Sequence, residues 1–119
     1  MQLINAALER KAKDLTVLKV KEFSSFTDYF IICSGSSDRQ VRAIADSIEK
    51  RLKESGIAPL GIEGRQSGGW ILMDYGDAVV HVFHEPVREF YDIERLWSDA
   101  PCMTVEDTVQ KIGSLDDDM

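Results

Sequence analysis

The chain has 119 residues, 44% of them apolar and 29% charged, with a net charge of −7. That is enough for one domain with its own core, needing neither disulfides nor metal. No apolar run approaches the length that spans a bilayer, and the two cysteines, Cys33 and Cys102, match no metal or redox spacing. The N-terminal stretch reads as an amphipathic helix rather than a secretory leader, so a reduced, cytoplasmic setting is the expectation.

The charge is unevenly placed. Residues 1–56 sum to +2 and residues 57–119 to −9. An acidic half repels phosphate backbones, which argues against direct nucleic-acid binding and points to a basic protein partner. Solubility alone is the competing explanation.

In chain order, Ile4, Ala7, Leu8 and Ala12 recur at helical spacing and predict a helix over 2–13. Asp14 to Lys21 alternates in the manner of a strand. Ser24 to Thr27 is a loop, and Asp28 to Ser34 is a continuous apolar run of the kind found in buried strands. Ser37 and Gln40 fit a capping box for a helix whose stripe is Val41, Ile44, Ala45, Ile48 and Leu52. Gly56 is placed to end it in the left-handed region. Pro59 to Glu63 is a short strand and Gly64 to Gly69 a polar loop. Trp70–Met73 and Ala78–Phe83, joined by Asp74-Tyr75-Gly76-Asp77, form a hairpin signal.

Both faces of the hairpin are largely apolar, which places it centrally in a sheet. Trp70, Leu72 and Asp74 fall on one face, Ile71 and Met73 on the other. Pro86 opens a helix predicted to run to Trp97, stopped by Ala100-Pro101. Thr104 with Asp107 is placed to cap a short helix over 105–112, before an acidic tail with too little apolar surface to order. The predicted order α β β α β β β α α, with a crossover from Asp28 to Glu63, is an α/β layer with a mixed sheet and flanking helices. The expected domain is 1–100, with 101–119 as an extension.

Candidate chemistry is sparse. Gly35-Ser36-Ser37 at a strand-to-helix junction suits a phosphate, but it lacks the P-loop lysine and the three-glycine dinucleotide spacing. A capped helix start is the favoured reading, and no cofactor motif is present. Glu63, Asp74 and Asp77 lie at strand ends, where three carboxylates can hold a catalytic divalent ion. Aspartate at a turn has a local explanation as well. His81 and His84 are three apart on a strand, face opposite ways, and read as structural histidines; Cys33 reads as packing. Trp70 is open to two roles: an interface anchor, or a seal of the sheet against Trp97 or Phe90.

Four blocks in order, Asp28-Tyr-Phe-Ile-Ile-Cys-Ser-Gly-Ser-Ser-Asp-Arg-Gln-Val, Gly61-Ile-Glu-Gly, Gly69-Trp-Ile-Leu-Met-Asp-Tyr-Gly-Asp-Ala-Val-Val-His-Val-Phe and Arg88-Glu-Phe-Tyr-Asp-Ile-Glu-Arg-Leu-Trp-Ser, resemble the ribosomal silencing factor (Iojap-related) family over roughly Leu3 to Ser98. The resemblance implies a nucleotidyltransferase-like fold without the enzyme activity. Gly35-Ser36 stands where an active nucleotidyltransferase keeps its glycine-serine, while Gly61-Ile62-Glu63 offers one carboxylate where a pair is needed. It further implies a repressor that binds the large ribosomal subunit, through the ribosomal protein fourteenth in its naming series, and obstructs small-subunit joining when nutrients are scarce. Trp70, Asp74, Tyr75 and Asp77 are the implied ribosome-facing residues, and the resemblance is compatible with a homodimer in the free state. The rival reading is a metal-dependent nucleotidyltransferase using Glu63, Asp74 and Asp77.

Overall fold

Seven uncharged residues, Tyr29–Gly35, form the strand β2 in the middle of the sheet, as a segment buried on both faces must be. In the computed structural model, which describes residues 2–104, α1 (Gln2–Glu9) and β1 (Lys13–Lys19) precede it. After it come α2 (Asp38–Glu54), β3 (Gly61–Glu63), β4 (Trp70–Asp74), β5 (Ala78–His84), α3 (Glu85–Tyr91), α4 (Ile93–Leu96) and β6 (Cys102–Thr104). The six strands lie in the order β3-β4-β5-β2-β1-β6. Only β2 and β5 pair in parallel; the other neighbours are antiparallel. This is the expected α/β class with a mixed sheet.

The crossover from β2 through α2 lands on the far edge, at β3. The β4–β5 hairpin then doubles back, and β5 fills the position beside β2. The hairpin is therefore interior, as its two apolar faces require.

Alternation divides the sheet cleanly. Ile31, Cys33, Ile71, Met73, Val80 and Val82 face α1 and α2 and are closed by the α2 stripe Val41, Ile44, Ala45, Ile48 and Leu52. The opposite face carries Leu18, Val20, Ile32 and Phe83, covered by Val87, Ile93, Trp97 and Ala100. Gly35 ends β2 where the chain passes under α2. A Cβ there would lie 3.0 Å from Val41 Cγ2 and 3.1 Å from Val41 N, so the close approach requires glycine.

The helix ends are governed by local chemistry. Ser37 Oγ accepts from Gln40 N–H at 3.1 Å, as the capping pattern predicts. The glutamine reaches one residue further back than in a simple box: Gln40 Oε1 accepts from Ser36 N–H at 2.5 Å, and its Nε2 donates to the carbonyls of Arg10 and Lys11 at 3.2 Å. Gly56, at φ +81°, closes α2 with Ile57 N–H to Leu52 O and Gly56 N–H to Lys53 O, a Schellman motif.

Three expectations are corrected. The first helix stops at Glu9, not Lys13, because Lys11 adopts φ 61° and the same Schellman pairs form, Ala12 N–H to Ala7 O and Lys11 N–H to Leu8 O. No glycine marks this end, so the sequence carries no stop signal for it. The helix over 86–97 is two helices, broken at Asp92 with φ 45°. Aspartate tolerates that conformation, and the bend lets Ile93 and Trp97 return over the sheet. Residues 102–104 form a strand against β1, Cys102 opposite Leu18 and Thr104 opposite Thr16, so the sheet runs past the expected boundary at Ala100. The helix expected over 105–112 lies outside the described residues.

Candidate functional site

The β4–β5 turn is built by its own polar groups. Asp74 Oδ1 accepts from Gly76 N–H at 2.8 Å, and Gly76 takes φ +85°. Asp77 O accepts from Asp28 and Tyr29 N–H at 3.0 and 3.1 Å, which ties the turn to the entry of β2. Asp74 O accepts from Leu60 N–H at 2.7 Å and ties it to the approach to β3.

The four residues singled out on the hairpin do not share one surface. Trp70 and Asp74 lie on the face away from α1 and α2, both half-buried, and Asp77 is exposed at the turn. Tyr75 packs against the core under α2, where burial pushes its phenol up to about 12. Its hydroxyl has no hydrogen-bond partner.

Trp70 does seal the sheet, with partners other than those expected. Its ring stacks on Phe83 at 4.8 Å and meets Tyr91 at 5.0 Å, and its Nε1 donates to His81 Nδ1 at 3.1 Å. Trp97 instead meets Phe30 edge-on at 5.1 Å, and Phe90 meets Tyr91.

His81 is thus a hydrogen-bonded structural histidine, as expected, and 5% exposed. Burial drives its pKa down to about 4, so it is neutral at physiological pH. An indole N–H only donates, so Nδ1 is the acceptor and the ring proton sits on Nε2. That Nε2 is buried and has no hydrogen-bond partner among the described residues. His84, on the same strand, instead approaches Asp38 at 3.4 Å.

Beside His81 the sheet face is open. A groove of about 560 Å³ has Phe30, Leu72, Val79 and His81 in its floor, Trp97 at one end, Asp74 at its margin, and Phe23 and Phe26 on its rim. Phe26 is 91% exposed. Reading residues 24–27 merely as a loop missed this wall. Two phenylalanines three apart around Ser24-Ser25 were the available signal, since a polar loop has no local need for them.

The three carboxylates of the rival reading do not form one cluster. Across the strands Glu63 faces Leu72 and Asp74 faces Gly61, and Asp74 is engaged in its turn. Among the described residues no three His, Cys, Asp or Glu side chains converge to hold a metal. The polar hollow around Arg88 is a clamp: its five N–H groups go to Glu94 (twice), Ser34 Oγ, Thr16 Oγ1 and Asp14 O. This holds α4 against β1 and β2. Cys33 is fully buried, and burial pushes its thiol up to about 12, which makes it a poor nucleophile. Among the described residues no helix is long and apolar enough to cross a membrane.

Comparisons with known proteins agree with this picture. The family model described as "Ribosomal silencing factor during starvation" matches residues 1–117. A relative from Halalkalibacterium halodurans, named ribosomal silencing factor, is 42% identical over 89% of this chain and 91% of its own length. A crystal structure of a Chromobacterium violaceum protein superimposes with a TM-score of 0.80 at 43% identity, covering 82% of this chain and 81% of that one. A mouse protein named "Mitochondrial assembly of ribosomal large subunit protein 1" is 32% identical over 81% of this chain, which spans 43% of that longer protein. Four sequence blocks in order, the matching fold and these relatives together make the chain a member of the ribosomal silencing factor family.

Proposed function

We propose that this protein is a cytoplasmic translational repressor that binds the large ribosomal subunit through its fourteenth ribosomal protein and blocks small-subunit joining by bulk alone, above all when nutrients are limiting. The observation that carries the reading is an open, aromatic sheet face with Asp74 in its lining and Asp77 exposed at the adjoining turn, on a chain of net charge −7. Such a surface suits a cationic protein and repels bare phosphate. Trp70 stiffens that face by packing on Phe83 and holding His81, and Asp74 and Asp77 present charge to Lys or Arg. Tyr75 acts from below, holding the turn that carries both aspartates. The name of the mouse relative, which refers to the large subunit, supports the choice of particle.

No bond is made or broken in this mechanism. A bound domain occupies space that a docking particle must clear, so the block lasts only while concentration and affinity keep the site filled. Sedimentation with purified large and small subunits tests the binding, and light scattering during subunit joining tests the block. Binding to the large subunit with dose-dependent loss of joining is expected. Joining that proceeds unchanged at saturating protein would refute the reading.

A further inference from the structure

We infer that the groove between the Phe23–Phe26 loop and the β4–β5 hairpin is a socket for one apolar side chain of a basic protein segment, whose adjoining main-chain carbonyl accepts a hydrogen bond from His81 Nε2. This rests on the proposed ribosomal role and adds the place and chemistry of the contact. Three observations converge on it.

The first is apolar surface left open beside the buried centre of the sheet. α1 and α2 bury the centre of one face, and Val87, Ile93, Trp97 and Ala100 pack over part of the other. The groove lies open on that second face, lined in part by Phe23 and Phe26 at 51% and 91% exposure. Solvent-facing phenylalanines at the mouth of an apolar hollow are the usual signature of a binding surface.

The second is the unpaired donor in the floor. Trp70 holds Nδ1, which leaves Nε2–H with its orientation set and nothing to bond. A buried donor without an acceptor carries a desolvation cost, which an incoming acceptor removes. The atom is closed over in the free protein, so the entering group must move floor side chains, as rotamer changes at interfaces commonly do. A carbonyl fits this demand; an ammonium or guanidinium does not, because neither accepts.

The third is charge. Asp74 lines the margin and Asp77 stands exposed at the turn beyond it. A cationic neighbour of the docked side chain finds a carboxylate there, whereas an RNA phosphate finds repulsion.

The test uses the full chain and purified large subunits. Wild type is compared with Phe26→Ala, Val79→Lys and His81→Phe, each verified as folded by circular dichroism. The last keeps a flat ring between Phe30 and Phe83 and deletes the donor. Each variant is expected to weaken binding about tenfold or more. In ¹⁵N-histidine spectra of the free wild type at neutral pH, the His81 proton is expected on Nε2. Phe26 and Val79 are not core positions, so those two variants decide the matter even where His81→Phe fails to fold. Wild-type affinity in both overturns the socket while leaving large-subunit binding standing. No binding by the wild type itself overturns both readings. A dimer lost on Phe26→Ala, with subunit affinity intact, would make a second copy the occupant and overturn the inference. So would tighter subunit binding after removal of residues 105–119, and so would a His81 proton on Nδ1.

Discussion

The two faces of the sheet are built from the same residue types and reach opposite ends. On the helix side Ile71, Met73, Val80 and Val82 are sealed completely against the buried stripe of α2. On the other side β5 offers Val79, His81 and Phe83: Phe83 is fully buried, His81 is 5% exposed, and Val79 is partly open to the groove. Coverage follows from helix length. α2 is 17 residues long and packs across β4, β5 and β2, whereas α3 and α4 have only 7 and 4 residues. Stability therefore resides mainly in the first face, and the second has surface to give to a partner.

Substitutions on the closed face should break this contrast most visibly. Ile44→Ala, on the buried stripe of α2, should cost about 2–5 kcal/mol in urea unfolding. Phe26→Ala on the open side should stay within about 0.5 kcal/mol of wild type. Equal losses would erase the distinction.

The pH dependence sharpens the comparison at its boundary. His81 is held neutral in the fold, with a pKa near 4 against 6.5 for the unfolded chain. Between those values the unfolded state binds the extra proton, so stability is complete above about pH 6.5 and falls as pH drops toward 4. The loss is on the order of 3 kcal/mol over that window. His81→Phe should flatten that slope, and unchanged pH sensitivity in a folded variant would remove His81 as its source.

Trp70→Ala bears on packing and on binding alike, since the ring stacks on Phe83 and its Nε1 holds the groove-lining His81. Affinity for large subunits should fall by about 2 kcal/mol, roughly thirtyfold. A folded variant that sediments like wild type would confine Trp70 to a packing role. Ser37→Ala, at the start of α2, should cost only about 1 kcal/mol in the same unfolding experiment and leave binding unaltered. The smallest effect is ionic. Moderate salt should slow association through Asp74 and Asp77, and an on-rate insensitive to salt would dismiss them as steering charges.

Alternation in Trp70–Asp74, the uncharged run of β2, the Ser37 cap and the Gly56 stop could all be read from neighbouring residues, because each is a local rule of period or hydrogen bonding. The same local rules placed the hairpin in the sheet interior, and the four ordered blocks identified the family. They could not separate Tyr75 from Trp70 and Asp74 by face, since a turn scrambles alternation. Nor could they find β6, whose three exposed residues show no pattern and gain their place only from β1, more than eighty positions away. The break at Asp92, the Arg88 clamp and the unpaired nitrogen of His81 are likewise products of distant contact. Each depends on which atoms the tertiary packing supplies as partners, and no window of sequence contains that information.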